Sequence, residues 1–328
     1  MRTRATRRGL QLTELGLGAA QFGNLYRETT DEQAASAVVA AWDAGIRYFD
    51  TAPHYGLGLS EKRLGSLLAG YARSDYLVSS KVGRLLVDSP ELAGLLDDEG
   101  FVVPATKRRI WDFSRDGILR SFDATLARTG LDSIDIVYLH DPDDHLEQAL
   151  GEGIQTLIEL RDQGVVRAVG AGMRQSEALA ALIRAADIDV VMIAGRYTLL
   201  EQGAADDLLP LALDRGVGVV VAGVYNTGLL SSARPAMGAK YEYEDAPTEL
   251  IARANAIADV CERHGVSLPE AALAFPLLHP AVVSVVVGVR DAAQMNSNVE
   301  RYSASIPAAL WTDLLEHHLL PDSTYLNA

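Results

Sequence analysis

Cysteine is nearly absent from this chain. The 328 residues include only Cys261, so no internal disulfide framework can form and a reducing compartment is expected. Basic residues are also scarce: 29 Lys and Arg stand against 44 Asp and Glu, a formal net charge of −15. A field of that sign repels phosphate backbones and anionic membrane surfaces, so neither nucleic acid nor membrane is an expected partner. Long hydrophobic runs are missing too; none approaches the roughly 18 residues that a membrane span needs. The opening "MRTRATRRGLQL" is basic but has no apolar stretch of the kind a secretion signal carries. These absences predict a soluble, acidic, cytoplasmic protein, monomeric or a small homo-oligomer. At 48% hydrophobic, the chain can still bury a large core.

What the sequence does have is rhythm. Short β-branched runs alternate with longer amphipathic segments almost from end to end. Strands are expected near Leu15–Gly18, Tyr48–Asp50, Leu77–Lys81, Ile134–His140, Val165–Ala171, Val190–Ala194, Val217–Val221 and Val283–Val287. Helical patterns fall between them, among them Asp31–Ala44, Ser60–Ala69, Ser114–Thr129, Gly151–Gln163 and Ala292–Ser303. "TTDEQ" and "LSEK" look like helix starts, and "DAGI", "DQGV" and "DRGV" like glycine-capped helix ends. "GVGVVVAGV" and "VVSVVVGV" are apolar throughout, as strands covered on both faces are. Eight such β-then-α units predict a (β/α)8 TIM barrel over residues 1–328 as a single domain, with a doubly wound open sheet as the structural rival. Long loops at Val82–Phe113 and Asn226–Pro247, and the tail Pro321–Ala328, would lie at or near the C-terminal face and shape a substrate pocket.

On these boundaries Asp50, Lys81 and His140 each end a strand, and Tyr55 lies in the loop just after Asp50. Taken singly they are ordinary: a turn-capping carboxylate, a solvated charge, a packed ring. Lys81, however, closes the apolar run "YLVSSK", and an ammonium carried inward there needs an anion, for which Asp50 is the neighbour. Together the four converge on one sector of a barrel mouth, where barrel enzymes keep their chemistry. A phenol titrates near 10, too high for proton exchange around neutrality, and a neighbouring ammonium lowers it. The expectation is therefore a Tyr55 phenol lowered by Lys81, with neutral His140 orienting a substrate oxygen. That is proton-transfer machinery for an alcohol/carbonyl pair, without a nucleophile or a metal set.

In order and spacing, "GIRYFDTAPHYG", "SEKRLG", "SSKVG", "DIVYLHD" and "VVSVVVGVRDAAQMNSNVE" resemble the aldo-keto reductases over essentially the whole chain. The resemblance implies that Asp50, Tyr55, Lys81 and His140 are a catalytic tetrad with Tyr55 as general acid/base. It also implies a nicotinamide cofactor, NAD or NADP, held without a Rossmann fold; no G-x-G-x-x-G follows a strand candidate. By the same resemblance Gly288, Arg290, Asp291, Gln294 and Asn298 clamp the adenosine phosphate, Gly288 allowing close approach and the following helix N-terminus favouring the anion. "YNTGLL" (Tyr225, Asn226, Thr227, Gly228 and Leu229 within it) would lie along the pyrophosphate, and Gly18, Ala19 and Asp50 near the nicotinamide ribose.

Two departures stand out. "VGAGMR" places Gly172 and Met173, and "IAGRY" places Ala194, where many members carry Ser-Asn and Gln for the carboxamide; backbone groups or Arg196 would then take that role. Asp291 stands where a cation would favour a 2′-phosphate, which argues for NAD; Arg290 beside it argues the other way, and a preference for NAD over NADP is expected. "AGRYTLLEQ", "YNTGLL" and the segment from Asp112 to Asp143 are similar to family members that oxidise L-fucose and related D-threo-aldoses, and to those acting on pyridoxal. An aldose or pyridoxal-like substrate is expected, with NADPH-driven aldehyde or ketone reduction as the alternative within the family. Outside that enzyme class stand a non-enzymatic nucleotide-sensing subunit of the same family and a hydrolytic or lyase barrel that needs no cofactor. Trp111 is read as either a stacking wall for substrate or a loop anchor, and His54 as either a substrate contact or an exposed side chain.

Overall fold

The computed structural model describes residues 1–235, 238–241 and 244–321. An antiparallel hairpin, β1 (Thr3–Ala5) and β2 (Gln11–Thr13), comes first. Then follow β3 (Leu15–Gly18), β4 (Tyr48–Asp50) and β5 (Leu77–Val82), and a second antiparallel hairpin of β6 (Arg84–Asp88) and β7 (Lys107–Trp111). After it come β8 (Ile136–His140), β9 (Ala168–Met173), β10 (Val190–Ala194) and β11 (Gly218–Ala222). The short pair β12 (Lys240–Tyr241) and β13 (Glu244–Asp245) precedes β14 (Val282–Gly288). Strands β3, β4, β5, β8, β9, β10, β11 and β14 close on themselves in that order, every neighbouring pair parallel. The closed barrel removes the open-sheet alternative.

The uniformly apolar strands have a geometric cause. Side chains alternate across a strand, and here both faces meet apolar neighbours. Tyr48, Leu77, Ile136, Tyr138, Val190, Met192 and Val220 fill the barrel interior, while Phe49, Val78, Val137, Leu139, Val191 and Val221 pack outward in the helix-side core. The same period carries Tyr48 to Asp50, Leu77 to Ser79 and Lys81, and Ile136 to Tyr138 and His140, so three interior columns end in polar groups at the upper mouth. The lower mouth is covered by the first hairpin. Leu12 enters the interior cluster, and Arg4 donates to the carbonyls of Leu277 and Val282 at 2.8 and 2.9 Å, fastening the hairpin below β14.

Several expected boundaries shift. The strand placed at Val165–Ala171 starts at Ala168, because Val165 is exposed in the turn after Gly164 (φ +76°). Gly45 and Gly216 likewise take positive φ after their helices, as their "DAGI" and "DRGV" contexts predict. Thr30 forms a full capping box with Gln33. "LSEK" does not cap: Gly58 is the N-cap, and buried Ser60 instead donates to the Ala19 carbonyl at 2.6 Å. The segment Val82–Phe113 is not a plain loop but carries the β6–β7 hairpin. Within Asn226–Pro247, residues 236–237 and 242–243 lie outside the described residues, as does the tail after Pro321. Among the described residues no helix is long and apolar enough to cross a membrane.

A buried carboxylate ties the lower mouth together. Asp189 is fully buried and accepts from Arg161 at 3.0 Å, Arg8 at 2.6 Å and the Val169 amide at 3.0 Å. Replacing it by Ala removes the one fully buried anion beside the Arg161 guanidinium, which keeps only the more than half-exposed Asp162 and Asp187, and takes the side-chain acceptor from the Val169 amide. Asp189→Ala is expected to lower stability by about 3–5 kcal/mol, read as a lower denaturant midpoint at unchanged slope.

Candidate active site

The polar ends of β4, β5 and β8 meet at the upper mouth. Lys81, 2% exposed, donates to Asp50 Oδ2 at 2.7 Å and Oδ1 at 3.0 Å, to the Thr51 carbonyl at 3.0 Å and to the Tyr55 hydroxyl at 3.2 Å. Asp50 is braced from below: Ser79, opposite it in register, donates to Oδ1 at 2.7 Å. Tyr48 stands 3.0 Å from Ser79 and 3.3 Å from Tyr138, hydroxyl to hydroxyl, so a polar chain runs down the barrel interior from the ion pair. The Tyr55 ring lies 6.1 Å from the His140 ring, edge to face. The structure thus brings Asp50, Tyr55 and Lys81 into direct contact and sets His140 beside them.

The loop carrying Tyr55 is held by backbone packing. A Cβ on Gly23 would stand 2.5 Å from the Tyr55 carbonyl carbon, and one on Gly56 (φ +62°) would stand 2.3 Å from the Gly23 oxygen. Two chains touch there with no room for side chains.

Charge follows from burial. Removing Lys81 from water works to lower its pKa, but Asp50 and then Tyr55 outweigh this and leave it above its ordinary value. The ammonium is fixed. Burial pushes the Tyr55 phenol up; Lys81 pulls it down, Asp50 pushes it up again, and the net result lies above 10. The expectation of a lowered phenol is therefore corrected: burial wins, and Tyr55 stays protonated around neutrality. Lys81 donates to its oxygen, which leaves the phenolic hydrogen for another acceptor. His140 is held well below its usual pKa by burial, then by Arg84 and Lys81, and His54 is pushed down to about 2 by burial, Arg84 and Arg109. Both imidazoles are neutral.

His54 is not exposed. Its ring packs 5.2 Å from Phe101 and 5.6 Å from His140, and its carbonyl accepts from Arg109, which is paired with buried Asp97 at 2.6 Å. Trp111 is 38% exposed, opposite Arg84 in the β6–β7 register, with the guanidinium 5.3 Å from its ring centre. It forms one side of a pocket of about 400 Å³ that Arg84 and Asp141 also line.

A cleft of about 750 Å³ opens on the other flank, between the loop after β11 and the helix Ala292–Ser303. Tyr225, Thr227, Gly228, Gly288, Arg290, Gln294 and Asn298 line it, seven of the positions expected at a cofactor. Gly18 pairs with Gly288 and Asp50 in the sheet, Ala19 is buried beside them, and Gly172 lies one residue before the end of β9 with Lys81 Cε 3.8 Å from where its Cβ would stand. Two of the expected positions turn their side chains away from the cleft. Leu229 belongs to the hydrophobic core, and Asn226 is buried with its amide donating to Glu201 at 2.8 Å. Asp291 is spent on capping the helix, Oδ1 accepting from the Gln294 amide at 3.0 Å, so that N-terminus already holds an anion. Arg290 turns inward, donating to the Arg27 carbonyl at 3.1 Å, the Thr29 hydroxyl at 2.7 Å and the Leu25 carbonyl.

The cleft suits a dinucleotide. Gln21 fills the space beside Gly288, where a Cβ would stand 2.6 Å from its amide, and its Oε1 is buried without a partner among the described residues. Asn226 Oδ1, His54 Nδ1 and His140 Nδ1 are likewise unpartnered. All four side chains lie at barrel-strand ends or in the loops after them, so the mouth is short of polar partners that a polar ligand supplies. Sequence reasoning missed Gln21, Gly23, Ser79, Arg84, Arg109 and Asp141. Asp141 was in reach, directly after His140 in "DIVYLHD"; the others need the hairpin and the barrel register.

A barrel with an ammonium-linked tyrosine and an imidazole at its C-terminal mouth is equipped for proton exchange with an alcohol/carbonyl pair. Residues 14–317 match the Aldo/keto reductase family, and the chain belongs to it. The D-threo-aldose 1-dehydrogenase of a Pseudomonas species is 49% identical over 316 residues, 95% of this chain and 96% of that one. The pyridoxal 4-dehydrogenase of Microbacterium luteolum is 39% identical over 333 residues, with 96% of each chain covered. Among solved structures, an aldo-keto reductase from Bacillus halodurans in its holo form superposes with a TM-score of 0.75 at 26% identity, covering 99% of this chain and 98% of that one.

The backbone contact at Gly23 generates a test. Gly23→Ala must push the Tyr55 loop away from Lys81, and displacement on the scale of an ångström is expected to cut kcat on the order of 10²-fold. Near-unchanged thermal unfolding would separate this from a general loss of fold.

Proposed function

We propose that this protein oxidises the hemiacetal carbon of an aldose to a lactone, with Tyr55 as general acid/base and Asp50, Lys81 and His140 as its partners. The observation that carries the chemistry is the Lys81 ammonium in contact with both the Tyr55 hydroxyl and Asp50 at the barrel mouth. The aldose assignment rests on the 49% identity to a D-threo-aldose 1-dehydrogenase. A bound nicotinamide supplies the hydride acceptor. The residues do the rest. Tyr55, as phenolate, takes the proton of the anomeric hydroxyl while the hydride leaves that carbon, and the carbon–oxygen bond becomes the lactone carbonyl. In reverse, the protonated phenol donates to a carbonyl oxygen. Lys81 lowers the cost of the phenolate, Asp50 keeps Lys81 charged and aimed, and neutral His140 hydrogen-bonds the reacting oxygen.

The cofactor would lie along the cleft lined by Tyr225, Gly228, Gly288 and Asn298, with Gln21 offering its buried acceptor to a ribose hydroxyl. NAD is the better fit. Arg290 is committed to carbonyls of the loop after β3, and the helix N-terminus beyond it is capped by Asp291, so both groups that would welcome a 2′-phosphate are engaged. Screening L-fucose, D-arabinose, L-galactose and pyridoxal with each cofactor should show NAD-dependent turnover of at least one aldose, and a higher kcat/KM with NAD than with NADP. Turnover of pyridoxal alone would move the assignment to a pyridoxal 4-dehydrogenase, the activity named for the 39% relative.

The pH dependence has a definite sign. Because burial holds the Tyr55 pKa above 10, the acid form persists around neutrality: carbonyl reduction should stay flat from about pH 6 to 9. Oxidation needs the phenolate, and its kcat/KM should climb with pH through the same range, by up to about tenfold per unit. Tyr55→Phe should remove both profiles with several orders of magnitude of turnover, while NADH still quenches protein fluorescence.

A further inference from the structure

Asp141 follows His140 and takes no part in the chemistry above, yet its setting is unusual. Its backbone sits at φ +40°, a left-handed conformation rare for a residue with a side chain, fixed by its amide donating to the Gly172 carbonyl at 3.0 Å. The carboxylate Oδ2 stands 3.5 Å from His140 Nε2 and is ion-paired with Arg84. Arg84 is 8% exposed and lines the same pocket, and its Nε is buried without a partner among the described residues. Next to the imidazole, then, lie one anionic acceptor and one unused cationic donor, locked to each other, with the Trp111 ring along the same wall.

A hydroxyl group is the chemical complement of that pair, since it donates and accepts at once. Its place is set by His140. A substrate oxygen bound at Nε2 puts a gauche oxygen on the next carbon about a hydrogen bond's length away, which is where the Asp141 carboxylate begins. We propose that Asp141 and Arg84 form a specificity-determining subsite for the hydroxyl on the carbon adjacent to the reacting one, the 2-hydroxyl of an aldose. Asp141 accepts from that hydroxyl, Arg84 Nε donates to it, and Trp111 covers an apolar face of the sugar ring. This deepens the aldose reading and rests on it.

The test compares D-arabinose with 2-deoxy-D-ribose, the same pentose lacking only that hydroxyl, in wild type and in Asp141→Asn. Asn tolerates left-handed backbone, so the loop keeps its path. A hydrogen bond to a charged group predicts that wild type prefers the hydroxylated sugar by roughly ten- to hundredfold in kcat/KM. The preference should shrink to within about threefold in Asp141→Asn. Both sugars meet the same preparation, so the ratio is independent of how much of it is active, and a purely structural Arg84–Asp141 link would leave it unmoved. If turnover of the variant is too low, the ratio of sugar dissociation constants in the NADH complex, read by fluorescence, replaces it. Equal preference in wild type and variant, or no preference in wild type, overturns the proposal. If wild type oxidises no aldose, the aldose reading falls by itself. The subsite is then read in reduction with glycolaldehyde against acetaldehyde, where the same shrinking ratio supports it and an unchanged ratio removes it.

Discussion

An ammonium that is 2% exposed at the end of a barrel strand survives only with its carboxylate, and the Lys81–Asp50 pair is the constraint around which the upper mouth is built. The pair joins β5 to β4, and other groups take up most of what it leaves free: Ser79 donates to one carboxylate oxygen, while the Thr51 carbonyl and the Tyr55 hydroxyl take the remaining ammonium hydrogens. Breaking any one of these leaves a buried charge short of a partner, which costs far more than the contact itself contributes. The arrangement is rigid for that reason. Tyr55 inherits the rigidity twice, through its oxygen and through the backbone contact of its loop with Gly23.

Burial sets the direction of the proton chemistry. The same dry surroundings hold Tyr55 in its acid form and His140 in its neutral form, and the cations reinforce only one of these. Lys81 opposes burial at the phenol, narrowing the gap to the phenolate, but Lys81 and Arg84 add to burial at the imidazole. A site in which the phenol can give and take a proton while the imidazole keeps a fixed charge follows from where the cations stand.

How much of this was legible beforehand depended on the physical signal. Strand ends could be read, because Asp50, Lys81 and His140 each terminate an apolar run, and a charge in that place has few reasons to exist. Barrel topology could be read from the repeat of strands apolar on both faces. The β6–β7 hairpin could not: it is a half-exposed two-stranded ribbon whose residues, such as Lys107–Trp111, show no buried alternation to mark it. The side chains that reach into the site from it, Arg84 and Trp111, were therefore unplaced or ambiguous. The sign of the Tyr55 shift was misjudged for a related reason. A neighbouring charge can be inferred from spacing, whereas the depth of burial depends on long-range packing by Phe101 and its loop, which spacing does not encode. Arg290 and Leu229 show the same limit, since a residue's place in a motif does not say that one side chain is tied to carbonyls of the loop after β3 and the other packs into the core.

The mouth divides into two walls with different parentage. Loops after β11 and β14 make the larger cleft, and the β6–β7 hairpin with the loop after β8 makes the smaller pocket. Because the walls share few residues, changes in the hairpin can alter which oxygen-bearing substrate is admitted without disturbing the cleft, and changes near Arg290 can alter cofactor choice without reaching the pocket. On the proposed function, what both walls must respect is the position of the Tyr55 hydroxyl, where cofactor and substrate would meet. The fold thus confines strict constraint to one ion pair and its contacts, and leaves selectivity to loops that the barrel only has to hold in place.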